Sequence, residues 1–205
     1  MYFPAFLMLE LDCMEAEHPQ IELYVSVGND EQNAAIERTL NALKLDQVVE
    51  HTLLAVGVTQ QVMLTLLITD DDGVREMNKQ YREQDKPTDV LSFPLLEAPL
   101  VNAPANQLWM VPEGGGWQAQ AGLAGAMPAF VSPPGQITNL GDIMVSWSAV
   151  LKQAAEAGHS AAYELLYLIA HGVLHLVGYD DYSEAGYQTM VHIQRSVLQA
   201  VGQKA

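Results

Sequence analysis

The segment HGVLHLVGYDD constrains this chain more than any other stretch. Its two histidines, His171 and His175, are four residues apart in an apolar run, which predicts that both imidazoles lie on one face of an α-helix. Gly178 is expected to end that helix in a left-handed conformation, which glycine adopts without a steric penalty. Asp180 or Asp181 can then turn back toward the histidines. Two histidines and one carboxylate leave a coordination position open, which is typical of a catalytic rather than a structural zinc site.

A structural origin is the main alternative for the histidine pair, because such pairs also occur by chance in helices. Leucine, isoleucine and valine surround the pair on nearly every side, which predicts a buried central helix. Two buried imidazoles on one face need partners, since an unsatisfied polar group in a core costs roughly 1–3 kcal/mol. Gly172 indicates close approach by another backbone or a ligand, because glycine in mid-helix costs about 1 kcal/mol relative to alanine. These features favour metal binding.

The same segment resembles HGxLHLxGYDH, the signature of the YbeY family of endoribonucleases. Two further stretches are similar to family motifs and follow the family order: NKQYREQDKPTDVLSFP at residues 78–94 and LGDIMVS at residues 140–146. The resemblance implies a single-domain, zinc-dependent hydrolase that cleaves single-stranded RNA. It also implies partners, ribosomal RNA and the small ribosomal subunit, and roles in maturing the 3′ end of the small-subunit RNA and in ribosome quality control.

One position departs from the family pattern, because Asp181 stands where the family usually has histidine. Aspartate is a competent zinc ligand, with its oxygen about 2.0–2.2 Å from the ion. We therefore expect His171, His175 and Asp181 to hold one zinc ion per chain, while Asp180 orients or caps. The added negative charge predicts a less acidic bound water and better tolerance of manganese.

Several activities remain open for such a site. Metal-assisted hydrolysis is expected, since the ion lowers the pKa of a bound water and stabilises charge on a phosphate. HExxH metalloproteases share the histidine spacing, but their general base, a glutamate, is replaced here by Gly172, which argues against peptide hydrolysis. The alternatives are a non-catalytic, metal-binding ribosome-assembly factor and a hydrolase of another phosphoester.

The net charge of −16 opposes general RNA binding, because phosphate contacts depend on lysine and arginine. Four of the nine basic residues nevertheless fall within one short window, namely Arg75, Lys79, Arg82 and Lys86. On a helix over residues 73–83, capped by Asp72, the first three share one face. One interpretation is a solvated basic face paired with Glu76 and Glu83.

The family resemblance gives part of this window a function. Arg82 matches the arginine of the family's YR pair, which implies a catalytic contact with the scissile phosphate, and a planar guanidinium fits phosphate oxygens. Lys86, Thr88 and Ser92 are further candidates for substrate binding. Thr88 is equally well explained as a turn residue beside proline.

Hydrophobic periodicity predicts an α+β fold: a small mixed β-sheet packed against several helices, with the metal-binding helix at the centre. Strands are expected at residues 21–27, 62–70, 89–95 and 143–147, and helices at residues 31–43, 73–83, 148–157, 160–177 and 183–201. Residues 51–58 are ambiguous and fit the end of a helix that begins near Leu45. Pro94 confines its strand to an edge or an end.

Residues 96–138 contain six prolines and six glycines, which predicts an exposed, mobile insertion within one domain spanning residues 1–205. Within it, Trp109 and Trp117 either stack on RNA bases or, as is more usual, pin the loop to the surface. The single Cys13 excludes an internal disulfide and fits a reducing compartment. The N-terminal residues have no basic start for a signal peptide, and the metal-binding helix is too short to span a bilayer. A cytoplasmic protein without a membrane partner is expected.

Overall fold

Four strands form one mixed sheet: β1 (Gln20–Ser26), β2 (Val62–Thr69), β3 (Val90–Pro94) and β4 (Thr138–Ser146). The computed structural model describes residues 19–110 and 136–203 and places the strands in the order β1-β2-β4-β3. Strands β1, β2 and β4 are parallel, and β3 runs antiparallel to β4 at one edge. Pro94 ends this edge strand, where its missing N–H interrupts no central ladder. The predicted α+β class is confirmed.

The described residues also contain six α-helices: α1 (Asp30–Asn41), α2 (Leu45–Ala55), α3 (Asp71–Arg82), α4 (Trp147–Ala157), α5 (Ala161–Val177) and α6 (Glu184–Ala200). The ambiguous run at residues 51–58 includes the end of α2, which begins at Leu45. Strand β4 starts five residues earlier than predicted. Its first half is mostly polar and therefore lacks the apolar sequence pattern of a strand. The pairing of this half with β2 is also interrupted by a register shift.

The basic helix α3 begins earlier than predicted, and Asp72 is not its cap. Asp70 has an extended backbone, and its Oδ1 accepts a hydrogen bond of 2.8 Å from the Gly73 N–H. Asp71 and Asp72 follow in the first turn, where the helix dipole stabilises carboxylates. The prediction was wrong because three consecutive aspartates precede the helix and any of them can act as a cap.

Helix α5 is the predicted central helix. Most of its residues are buried, and it packs against β3, β4, α2, α4 and α6. A Cβ added at Gly172 would lie 2.8 Å from Ile143 Cγ2. Glycine therefore permits a close approach between α5 and β4, although the neighbour is a side chain of the sheet rather than a backbone or a ligand.

The opposite face of the sheet is covered by α3, where Val74 packs with Leu91 and Met144. Because side chains alternate along a strand, Ser92 on β3 points to the other face, beside its partner Ile143 and toward α5. This alternation places Ser92 near the C-terminal end of α5.

The predicted insertion at residues 96–138 is not exposed throughout. Residues 111–135, including Trp117, lie outside the described residues. In the segment before them, Val101 is buried in the main core and the Leu100 N–H donates to the Val177 carbonyl at 2.9 Å. Residues 96–110 therefore belong to the packed fold, and their apolar contacts with the core were hidden by a proline-rich composition.

Across the described ranges, no single helix has both the length and the apolar character needed to cross a membrane. Helices α4 and α5 reach that length and composition only as a pair, which is bent by 116°.

Candidate metal centre

The C-terminal half of α5 presents His171 and His175 side by side. Their Nε2 atoms are 3.0 Å apart and their rings meet edge to face. Asp181, just beyond the helix, places Oδ2 3.8 Å from His171 Nε2 and Oδ1 4.0 Å from His175 Nε2. The structure therefore brings together the three residues predicted as ligands, with their ligand atoms all within 4.8 Å of one another.

The turn after α5 delivers the third ligand to the histidines. Gly178 has a φ of +129° and ends the helix, and an added Cβ would lie 2.5 Å from Pro99 Cβ. Two backbone hydrogen bonds hold the following residues against residues 105–109: the Trp109 N–H donates to Gly178 O at 3.0 Å, and the Asp180 N–H donates to Gln107 O at 2.9 Å. The position of the carboxylate thus depends on a distant chain segment.

The same turn fixes the protonation of one ligand. His175 Nδ1 lies 2.9 Å from the Tyr179 carbonyl oxygen. Because a carbonyl only accepts hydrogen bonds, Nδ1 must donate, and in the neutral ring the lone pair is then on Nε2. That nitrogen faces His171 and Asp181, which is the arrangement by which a backbone carbonyl orients a metal-binding imidazole.

The electrostatics of His171 favour the neutral form that can bind a metal. Burial, and after it the adjacent His175, lowers its pKa from 6.5 to about 4, while Asp181 and Gln194 partly oppose them. At neutral pH this imidazole therefore has a free lone pair and needs no deprotonation to act as a ligand.

The three donors fit one zinc ion. Ligand atoms about 2.0–2.2 Å from a tetrahedral ion are roughly 3.3 Å apart from each other. The separations here bracket that distance, at 3.0, 3.8 and 4.0 Å. Asp181 has 40% of its side chain exposed, which leaves the cluster open to the cleft beside it. An open three-residue site of this kind is typical of catalytic zinc.

The cleft beside the cluster has a volume of about 560 Å³ and includes Arg82 in its wall. No other lysine or arginine of the described ranges lines it, and Arg82 forms no salt bridge there. Lys86 is exposed and lies outside the cleft lining. Three carboxylates line the same cleft, those of Asp89, Asp180 and Asp181.

Asp85 pairs with two other residues of the basic window and offsets one of their two positive charges. Its carboxylate binds Arg75 Nε at 2.7 Å and Lys79 Nζ at 3.2 Å, and these hydrogen bonds hold the pKa of Asp85 below its usual range. The expected pairing with Glu76 and Glu83 is replaced by this contact, because the chain reverses after α3 at Glu83, which has a φ of +58°.

Two predicted substrate-binding residues differ in their freedom to contact a ligand. Both Thr88 and Ser92 line the cleft. The Thr88 hydroxyl donates to Asp89 Oδ1 at 3.1 Å. Ser92 Oγ has no hydrogen-bond partner within the described part of the chain, but the atom is buried, so it faces a ligand in the cleft only if the side chain rotates.

Trp109 lies in the cleft wall but is held by the protein. Its indole N–H donates to the His175 carbonyl at 3.1 Å, which pins residues 105–109 to α5. The exposed aromatic residue at this edge is Tyr182, with 96% of its surface accessible, directly after the third ligand. Sequence reasoning missed it, although its place beside the predicted ligand was a usable signal.

Sequence reasoning also missed Asp89. Its carboxylate accepts hydrogen bonds from Thr88, from the Val90 N–H and from Gln153 Nε2. These contacts fasten the start of β3 to α4, beside the cleft. Its position within the TDVLSF stretch was the available signal.

Comparison with known proteins agrees with this geometry. Residues 26–202 match the family model described as Endoribonuclease YbeY. A protein of that name from Roseiflexus sp. (strain RS-1) is 38% identical over 159 residues, covering 77% of this chain and 82% of the relative. Another, from Moorella thermoacetica, is 34% identical over 177 residues, covering 86% and 96%.

Among solved structures, a solution structure of a Thermotoga maritima protein aligns with 89% of each chain at 23% identity and a TM-score of 0.48. The family model spans most of the chain, and the two relatives are matched over 82% and 96% of their own lengths. The chain belongs to the YbeY family of endoribonucleases.

Proposed function

We propose that this chain is a zinc-dependent endoribonuclease that cleaves single-stranded RNA. Its proposed roles are maturation of ribosomal RNA, at the 3′ end of the small-subunit RNA, and ribosome quality control. One observation carries the proposal: Arg82 lines the same cleft as the ligand cluster of His171, His175 and Asp181. Family membership supports the ribonuclease activity, and the resemblance of the sequence motifs supports the ribosomal substrate. We also propose that this RNA cleavage takes place in the cytoplasm.

The metal ligands and the other residues of the cleft wall have different proposed roles. A zinc ion held by His171, His175 and Asp181 would supply Lewis-acid chemistry for the attack of water on a phosphodiester. Arg82 binds the non-bridging oxygens of the phosphate through its planar guanidinium. Ser92, in the wall of the same cleft, donates a hydrogen bond to this phosphate after its side chain rotates out of its buried position, because its hydroxyl has no partner among the described residues.

The charge of the cleft supports the proposed need for a cation. Three carboxylates and one guanidinium line it, so a phosphate meets net negative charge in the metal-free protein. Zinc is the proposed ion because two of the three ligands are imidazoles, and the aspartate oxygen extends tolerance to manganese.

Metal analysis tests the first half of the proposal. The purified parent should contain about one zinc ion per chain. His171→Ala combined with His175→Ala should remove the ion while keeping most of the fold, and Asp181→Ala should weaken binding. Zinc retained by the double variant would place the site elsewhere. Retention in Asp181→Ala alone would move the third ligand, with Asp180 the first residue to examine.

Cleavage of an end-labelled single-stranded RNA tests the second half. Arg82→Ala should keep its zinc and lose on the order of 100-fold in turnover, the scale of removing one preorganised donor at a reacting centre. Arg38→Ala is the matched control, because it removes an exposed arginine of α1 outside the cleft lining. Normal cleavage by Arg82→Ala would show that its assigned role is wrong.

Two further outcomes separate the alternatives. Stable zinc binding without cleavage of any RNA would favour a metal-binding assembly factor. Hydrolysis of a generic phosphodiester that single-stranded RNA does not inhibit would favour another phosphoester as substrate.

A further inference from the structure

A buried glutamine on α6 lies against the back of the metal centre. Gln194 is fully buried in a helix whose other buried residues are apolar or glycine. Its Nε2 donates to the Tyr167 carbonyl at 3.2 Å. Its Oε1 has no hydrogen-bond donor within the described part of the chain. A buried carbonyl oxygen without a donor is unfavourable and rare, which calls for an explanation.

The orientation of this amide is determined by its single hydrogen bond. Tyr167 offers a carbonyl, which accepts only, so the NH₂ group of Gln194 must face it and Oε1 must point away. Gln194 and His171 both line a cavity of about 280 Å³ that Asp181 also borders. The Gln194 side chain acts on the His171 ring and raises its pKa, against the larger opposite effect of burial.

His171 has one ring nitrogen without an assigned partner. Its Nε2 faces His175 and Asp181, so Nδ1 is the atom left. The neighbouring ligand His175 has its Nδ1 held by a backbone carbonyl. No backbone carbonyl of the described residues holds His171 Nδ1 in this way. Gln194 is the side chain whose hydrogen bonding acts on the His171 ring, and its Oε1 has no other donor among the described residues.

We propose that Gln194 is a positioning residue for the metal centre: its Oε1 accepts the Nδ1 proton of His171 and keeps the Nε2 lone pair directed at the ion. The inference rests on the metal site of the proposed function. Carbonyl and carboxylate groups of this kind hold metal-binding imidazoles in one tautomer.

The proton positions give an independent reason for the assignment. His175 Nε2 has a lone pair, so a proton on His171 Nε2 would satisfy the contact between the two Nε2 atoms. The lone pair of His171 would then lie on Nδ1 and face the oxygen of Gln194. A proton on His171 Nδ1 satisfies Gln194 but brings two nitrogen lone pairs to 3.0 Å. A cation bound by both Nε2 atoms satisfies the two imidazoles and the amide together.

The test compares zinc affinity, by competition with a chelator, in the parent and in variants at this position. Gln194→Met removes the acceptor at similar volume and should weaken zinc binding about 10- to 100-fold. Gln194→Glu retains an acceptor and should keep affinity near that of the parent. Gln188→Leu is the matched control, because this exposed glutamine of the same helix contacts Glu184 rather than α5.

The histidine NMR spectrum supplies a readout that a purely structural role would not change. In the zinc form, His171 should show a protonated Nδ1 whose hydrogen exchanges slowly with water in the parent and in Gln194→Glu, and rapidly in Gln194→Met. Circular dichroism of each variant identifies loss of fold. If Gln194→Met does not fold, a slowly exchanging His171 Nδ1 hydrogen in the parent and in Gln194→Glu supports the role, and rapid exchange in the parent overturns it.

Each outcome has a definite meaning. Equal zinc affinity of the parent and a folded Gln194→Met overturns the role of Gln194 and leaves the proposed function intact. Reduced affinity in Gln194→Glu equal to that in Gln194→Met also overturns it, because the acceptor is then irrelevant. A parent that binds no zinc overturns the proposed function and this inference with it.

Discussion

Acidification of the metal-free protein is expected to remove stability through His171. Its pKa is lowered from 6.5 to about 4 in the folded chain, chiefly by burial. Between these values the unfolded chain binds a proton that the folded chain excludes. Stability from this residue is therefore present above pH 6.5 and is lost as the pH falls toward the folded pKa.

The structure sets the size of the effect. A shift from 6.5 to about 4 corresponds to roughly 3 kcal/mol once both states are protonated. At about pH 5 the unfolded histidine is almost fully protonated and the folded one is not, which gives a loss of about 2 kcal/mol. Domains are stabilised by only about 5–15 kcal/mol, so the change is measurable.

Urea unfolding in the presence of a chelator, at about pH 7.5 and about pH 5, provides the assay. Other groups titrate over this interval, so the comparison is with His171→Gln, which should lose about 2 kcal/mol less than the parent on acidification. His192→Gln removes an exposed histidine of α6 and should follow the parent. The same pH dependence in the parent and in His171→Gln would refute the reasoning.

Substitutions at three positions test other parts of the site. Gly178→Ala should lower the free energy of unfolding by about 2–4 kcal/mol in urea and weaken zinc binding, because its φ of +129° and the 2.5 Å approach of Pro99 leave no room for a Cβ; an unchanged midpoint would contradict the geometry of the turn. Trp109→Phe should reduce the free energy of unfolding in the same assay by about 1 kcal/mol through loss of the hydrogen bond to the His175 carbonyl, with the zinc content unchanged. Tyr182→Ala should weaken binding of single-stranded RNA by roughly 1 kcal/mol or more with zinc unchanged, whereas Tyr182→Phe should bind normally, since a stacking ring needs no hydroxyl; equal affinities in an equilibrium binding assay would exclude stacking there.

The grouping of the three candidate metal ligands was predictable because they are local in sequence. The spacing of His171 and His175 places them together on any α-helix, and Gly178 predicts the turn that returns Asp181. The burial of α5 was also predictable, because leucine, isoleucine and valine residues surround the histidines in the sequence. The positions that failed or were missed depend instead on contacts between distant residues.

Particular residues show where local information ends. The indole of Trp109 binds a carbonyl 66 positions away, which no pattern around it indicates. Gln194 reads as an ordinary polar residue of an amphipathic helix, and only the packing of α6 on α5 makes it a buried neighbour of His171. The proline-rich composition before residue 111 predicted exposure, yet Val101 completes the core.

The ion pairs of Asp85 affect how the protein associates with RNA. By offsetting one of the two positive charges of Arg75 and Lys79, Asp85 weakens the local positive field that would attract RNA, in a chain of net charge −16. Long-range electrostatic repulsion therefore slows the encounter between the protein and RNA. Added salt shortens the Debye length, weakens this repulsion and should raise the association rate with RNA. This salt dependence is opposite in sign to that of basic RNA-binding domains, whose attraction to phosphates weakens as salt increases.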